Sequence, residues 1–110
     1  MYTSTDLKII TDPYFKLIQL KDDLCEIQSC NTMHSWLITQ SKDNCYALYH
    51  KHKPSDPLHF HAACSSIQDC LIEITNHDEY QLRGRKPDLH PSKHTFFYYI
   101  IDRYQKEIHS

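Results

Sequence analysis

The middle of the chain alternates short runs of strand-forming residues with turn residues. The segments 35–41, 45–52 and 58–64 are rich in β-branched, aromatic and aliphatic side chains. A Lys-Asp-Asn turn separates the first two segments, and a break with two prolines at 53–57 separates the last two. Because such short connections join antiparallel neighbours, the pattern predicts a three-stranded antiparallel sheet over residues 35–64.

The alternation of side chains in these strands favours one pairing register. If Gln40 lies opposite Cys45 and His52 lies opposite His59, apolar residues collect on one face of the sheet. The expected core face comprises Trp36, Ile38, Cys45, Ala47, Tyr49, Phe60, Ala62 and Cys64. The opposite face then comprises Leu37, Thr39, Tyr46, Leu48, His50, His52, His59 and His61. A shift of one residue would mix the two sets, so this register is the predicted one.

The periodicity changes after the third strand, and residues 65–77 are predicted to form a capped helix that packs on the sheet. Ser65 and Gln68 have the spacing of a capping box, in which each side chain binds a free backbone N–H. An apolar stripe follows at helical spacing, formed by Ile67, Cys70, Leu71 and Ile74.

Both terminal segments are predicted to be helical. Residues 92–108 carry apolar side chains at helical spacing, although the run at 96–101 would also suit a buried strand. Near the N-terminus, Asp12-Pro13 is a good helix start, and leucines and isoleucines recur every three or four residues up to Ser29. This region, 13–30, would equally fit a hairpin around a Lys-Asp-Asp turn, and the helix is the preferred interpretation.

Composition is typical of one small globular domain spanning residues 1–110, with an α+β fold. Of the 110 residues, 40 % are hydrophobic and 24 % are charged, which argues against a disordered tail and a membrane span. Lys and Arg number 12 against 14 Asp and Glu, so the net charge of −2 opposes a broad phosphate-binding surface. A single glycine excludes the glycine-rich loops that hold nucleotide phosphates.

Cysteine usage and the N-terminus both indicate the cytoplasm. The five cysteines are an odd number, which does not suggest the disulfide framework of a small secreted protein. The first twenty residues lack the apolar core of a signal peptide. We therefore expect a cytoplasmic protein with free thiols and no membrane partner.

Nine histidines are the most unusual chemical feature of the chain, and four of them form a candidate metal site. His50 and His52 are two residues apart in one predicted strand, as are His59 and His61 in the next. In the predicted register, His50 lies opposite His61 and His52 opposite His59, so four imidazoles share one patch. Imidazole nitrogens bind zinc and other divalent transition metals well. The alternative is that these histidines are ordinary polar residues on a partly exposed sheet face.

Two further segments are candidates for macromolecular binding. The loop with Arg83, Arg85 and Lys86 is the only compact basic segment and is a candidate nucleic-acid-binding site, with a solvated loop as the alternative.

On the C-terminal helix, Phe96, Tyr99 and Arg103 point away from the apolar stripe. Exposed aromatic residues beside arginine are typical of protein interfaces, so these three residues are candidate partner-binding residues.

No catalytic constellation is evident, and we expect a protein that is not an enzyme. Cys64 precedes a helix start, but the predicted register turns it away from His61. The His77-Asp78 pair resembles metal ligands of phosphohydrolases, but their other ligand motifs are missing. The favoured function is therefore a small cytosolic interaction or regulatory protein that needs no cofactor and binds a protein partner or itself as a homodimer. Metal binding and nucleic-acid binding are the alternatives.

Overall fold

The structure is a computed structural model that describes residues 2–86 and 94–109, with side chains up to 106. It confirms the α+β fold but contains a five-stranded antiparallel sheet, in the order β1-β2-β3-β4-β5, instead of the predicted three strands. The elements are α1 (Ser4–Ile10), β1 (Phe15–Lys21), β2 (Leu24–Ser29), β3 (Ser35–Lys42), β4 (Cys45–Lys51), β5 (His59–Cys64), α2 (Ile67–Leu82) and α3 (Thr95–His109).

The two additional strands occupy the region that we predicted to be a helix over residues 13–29. They form the hairpin β1–β2, the alternative that the sequence left open. Side chains of β2 alternate between buried and partly exposed, and Cys25 and Ile27 lie opposite Ile38 and Trp36 of β3. The leucine and isoleucine spacing fits a helix equally well. Pairing with β3 favours the strand because it buries Cys25 and Ile27 completely.

The predicted register between β3 and β4 is wrong by one residue. Lys42 lies opposite Cys45 across a tight turn, where Asn44 has a positive φ of 61°, and the pairing then skips Ser41. This irregularity brings Ile38 opposite Leu48 and Trp36 opposite His50. A shift of one residue reverses the faces of β4, because successive side chains point to opposite sides.

The register determines which face of the sheet forms the core. Trp36 and Ile38 are buried as predicted, but they are joined by Leu48 and His50, which we had placed on the other face. Three residues that were predicted to be in the core, Ala47, Tyr49 and Phe60, instead belong to the opposite face of the sheet. This face, called the uncovered face below, has no helix packed on it in the described residues, and Phe60 there is 59 % exposed. Cys45 was also predicted to be in the core. It alternates with Ala47 and Tyr49 along β4 and therefore belongs to the same uncovered face.

Helix α2 covers the core face and begins one residue later than predicted. The N-cap is Ser66 and not Ser65, because the Ser66 hydroxyl accepts a hydrogen bond from the backbone N–H of Asp69 at 3.1 Å. Ser65 instead donates to the Asp69 carboxylate at 2.9 Å, so the predicted capping box with Gln68 does not form. The predicted apolar stripe is buried as expected, and the helix continues past residue 77 to Leu82.

The terminal helices complete the core. Helix α3 confirms the C-terminal prediction, with Phe97 and Ile100 buried; its predicted first residues, 92 and 93, lie outside the described residues. The N-terminal helix is α1, which the sequence analysis missed. A capping box between Thr3 and Asp6 starts it, and Ile9 and Ile10 are buried. In the described part of the chain, no helix is both long and hydrophobic enough to cross a lipid bilayer.

Candidate metal centre

Four histidines converge where the sheet meets helix α2. One ring nitrogen from each of them lies within 4.8 Å of a ring nitrogen from every other. The four residues, called the histidine cluster below, are His34, His50, His52 and His77. His34 immediately precedes β3, and His50 lies in β4. His52 immediately follows β4, and His77 lies in α2.

Strand pairing and helix packing explain this convergence. Trp36 lies opposite His50 in the ladder, and the two rings stack with centroids 4.0 Å apart. The ladder ends with Ser35 opposite Lys51, so the next residues outward, His34 and His52, stack on each other at 4.3 Å. His77 lies three residues after the buried Ile74 and therefore shares the sheet-facing side of α2. Its ring centroid is 4.6 Å from that of His50.

The closest polar contact in the histidine cluster joins His50 and His34. Their Nε2 and Nδ1 atoms are 3.1 Å apart, so one nitrogen donates a hydrogen and the other accepts it. His50 is only 1 % exposed and is held from the other side by the indole of Trp36. The nitrogen pair is therefore fixed in place by packing on both sides.

Burial favours the neutral form of His34, His50 and His77. Burial, with a smaller contribution from neighbouring imidazoles, lowers the pKa of His50 to about 3 and that of His77 to about 4. The pKa of His34 is also lowered by burial, with smaller contributions from His52 and Arg85. Neutral imidazole is the form whose nitrogen lone pair can bind a metal ion.

The four histidines predicted from sequence divide into two groups. His50 and His52 belong to the histidine cluster, whereas His59 and His61 lie at its edge. His59 lies opposite His50, not opposite His52, because the pairing of β4 and β5 skips His61. The His59 side chain is exposed, and the Nε2 atom of His61 lies 3.7 Å from a carboxylate oxygen of Glu73.

The sequence analysis missed His34 and His77. The correct register of β3 and β4 would have placed His34 beside His52. The helical spacing from Cys70 and Ile74 to His77 would have placed His77 on the buried stripe of α2. The sequence had instead suggested a comparison of the His77-Asp78 pair with phosphohydrolase ligands.

The predicted basic loop follows α2 and uses part of its charge internally. Arg83 is the C-cap residue, and its Nε donates to the backbone carbonyl of Lys86 at 3.0 Å. Arg85, which has a positive φ of 63°, donates from Nε to the side-chain oxygen of Gln81 at 3.3 Å. Nucleic-acid binding through this loop stays a prediction.

The predicted partner-binding residues border one shallow cleft of about 160 Å³. Phe96, Tyr99 and Arg103 line it together with Tyr14 and Asn31. The Arg103 guanidinium is not free, because Nε and Nη2 donate to the two carboxylate oxygens of Asp12 at 3.1 and 2.5 Å. Tyr99 is exposed, with 58 % of its surface accessible.

Comparisons of the chain with protein-family models, with curated protein sequences and with solved structures find no match.

Proposed function

We propose that this protein binds a divalent transition-metal ion through His34, His50, His52 and His77. The observation that carries the proposal is the convergence of four imidazole nitrogens within 4.8 Å of one another. Zinc bound by imidazole has metal–nitrogen distances of about 2.0–2.1 Å, which places tetrahedral ligand atoms about 3.4 Å apart. The contact of 3.1 Å between His50 and His34 is already close to that separation.

The all-imidazole donor set indicates the class of ion. Zinc, copper and nickel accept imidazole nitrogen readily, whereas calcium and magnesium require oxygen ligands. The lowered pKa values of His50 and His77 keep both rings uncharged near neutral pH, so each ring has one nitrogen with a lone pair for a metal ion. His34, His52 and His77 are partly exposed, so an ion can reach the site from solvent.

Zinc titration of the tag-free protein tests the proposal. A chelator competition assay should give one Zn²⁺ per chain, with a matching increase in unfolding temperature. The variants His52→Gln and His77→Gln each remove one partly exposed donor and should weaken binding more than about tenfold.

The exposed His59 provides a matched control, because the same change of imidazole to amide lies outside the histidine cluster. His59→Gln should change zinc affinity less than about twofold. The proposal is wrong if the wild-type protein binds none of Zn²⁺, Cu²⁺ and Ni²⁺ stoichiometrically. It is also wrong if His59→Gln weakens binding as much as His77→Gln does.

A second candidate function is the interaction role that the sequence favoured for want of a catalytic motif, binding to a protein partner or to a second copy. The observation in its favour is that Phe96, Tyr99 and Arg103 border one cleft, next to the exposed Tyr98. Light scattering after size exclusion, over a wide concentration range, tests self-association. If the cleft mediates it, Tyr99→Ser should weaken the dimer more than Phe60→Ser on the uncovered sheet face.

We also propose that the protein is not an enzyme and that it is located in the cytoplasm. The observation in favour of this location is that all five cysteines are free, as is usual in reducing compartments.

A further inference from the structure

A buried carboxylate directly follows one member of the histidine cluster in the sequence. Asp78 directly follows His77 in α2 and is completely buried. Its Oδ2 accepts a hydrogen bond from the Tyr14 hydroxyl at 2.6 Å, and its Oδ1 accepts one from the Thr32 hydroxyl at 3.0 Å. Burial raises the pKa of Asp78, and these donated hydrogen bonds oppose the increase. Its two donors come from outside α2, so Asp78 ties the helix to other parts of the chain.

Thr32 connects this carboxylate to the segment that carries His34. Its hydroxyl gives its only hydrogen to Asp78, and the same oxygen accepts a hydrogen bond from the backbone N–H of His34 at 3.3 Å. The connection runs across the turn between β2 and β3, where Met33 has a positive φ of 65°. The backbone of His34 is therefore linked to the residue adjacent to His77 by two successive hydrogen bonds.

We infer that Thr32 and Asp78 are positioning residues of the metal site, and that they hold His34 and His77 at the separation that an ion requires. This inference rests on the proposed metal-binding function. His34 lies one residue before β3, where its carbonyl accepts a hydrogen bond from the Ser29 N–H at 3.0 Å, whereas its own N–H donates to the Thr32 hydroxyl. The Asp78–Thr32 connection adds a second restraint on His34, from the side of α2.

A metal site needs this kind of support because ligand atoms must be held within about 0.5 Å of their bound positions. Groups that orient metal-binding histidines without touching the ion typically affect affinity by about 10- to 100-fold when they are removed. Thr32 meets that description, because it contacts the backbone of His34 and the carboxylate after His77.

Substitution of the Thr32 hydroxyl tests the inference. Thr32→Val keeps the shape of the side chain but removes both hydrogen bonds, and it should weaken Zn²⁺ binding about tenfold or more. Thr32→Ser keeps the hydroxyl and should retain the wild-type affinity within about twofold.

Thr75→Val is the matched control for loss of a buried hydroxyl. Thr75 lies in α2 near His77, but its hydroxyl bonds only the backbone carbonyls of Leu71 and Ile72. This control should leave zinc affinity unchanged. Equal loss of affinity in Thr32→Val and Thr75→Val would overturn the inference, because it would show a general effect of destabilisation.

A double-mutant cycle with His34→Gln separates positioning from a merely structural role. If Thr32 acts through His34, adding Thr32→Val to His34→Gln should cause little further loss of affinity. If the two losses multiply, the inference is wrong. Wild-type protein that binds zinc while Thr32→Val binds equally well would refute only the positioning role. Wild-type protein that binds no transition metal would refute the proposed function itself.

Discussion

Acid should destabilise the metal-free protein, because two imidazoles of the histidine cluster are held neutral. In the folded chain the pKa of His50 is lowered from the ordinary value of 6.5 to about 3, and that of His77 to about 4. In the unfolded chain both rings regain their ordinary pKa and bind protons at higher pH. The stabilisation is therefore fully present above pH 6.5 and is lost progressively as the pH falls toward the two folded values.

The structure sets the magnitude of this effect. At about pH 5, the pH lies about 1.5 units below the unfolded pKa, while both folded rings remain mostly neutral. One pH unit corresponds to about 1.4 kcal/mol, so each histidine lowers the free energy of unfolding by about 2 kcal/mol relative to neutral pH. The two together lower it by about 4 kcal/mol, a large part of the 5–15 kcal/mol typical of a small domain.

Urea unfolding in the presence of a chelator measures this loss, with the single buried Trp36 as fluorescence probe. His50→Phe removes one titrating ring but keeps an aromatic ring against Trp36, and it should reduce the loss of stability at about pH 5 by about 2 kcal/mol. Ile38→Val, which lowers stability by about 1 kcal/mol without changing proton binding, should keep the full pH dependence. If His50→Phe keeps it too, the assignment of the effect to buried neutral imidazole is wrong.

Three further predictions concern the fold. Ser66→Ala should lower the free energy of unfolding by about 1 kcal/mol through loss of the N-cap, and Ser65→Ala should have a clearly smaller effect in the same chemical denaturation assay. Leu48→Ala should lower it by about 2–5 kcal/mol and Leu37→Ala by much less, whereas equally small effects would support the register predicted from the sequence, which places both leucines outside the core. Met33→Gly should raise the midpoint of thermal unfolding, because glycine relieves about 1–2 kcal/mol of strain at a positive φ and costs only about 0.5–1 kcal/mol in conformational entropy. A lower midpoint would contradict this.

Local signals in the sequence were sufficient for several elements of the fold. The strands within residues 35–64 and the buried stripe of α2 were predicted correctly, because each depends on periodicity within one short segment. The C-terminal helix was predicted for the same reason. The position of the α2 N-cap was one residue off, since Ser65 and Ser66 are both suitable cap residues and only the observed hydrogen bond from Asp69 distinguishes them.

The tertiary structure decided the features that depend on distant residues. The segment 13–30 satisfies helical and strand patterns alike, and its pairing with β3 selected the hairpin. The irregularities at Ser41 and His61 changed which residues face each other, and no local sequence pattern predicts that a residue is left out of the strand pairing. The histidine cluster combines both effects. His50 and His52 could be grouped by alternation along one strand, whereas His34 and His77 join them only through the corrected register and the packing of α2, because those contacts are formed between segments far apart in the chain.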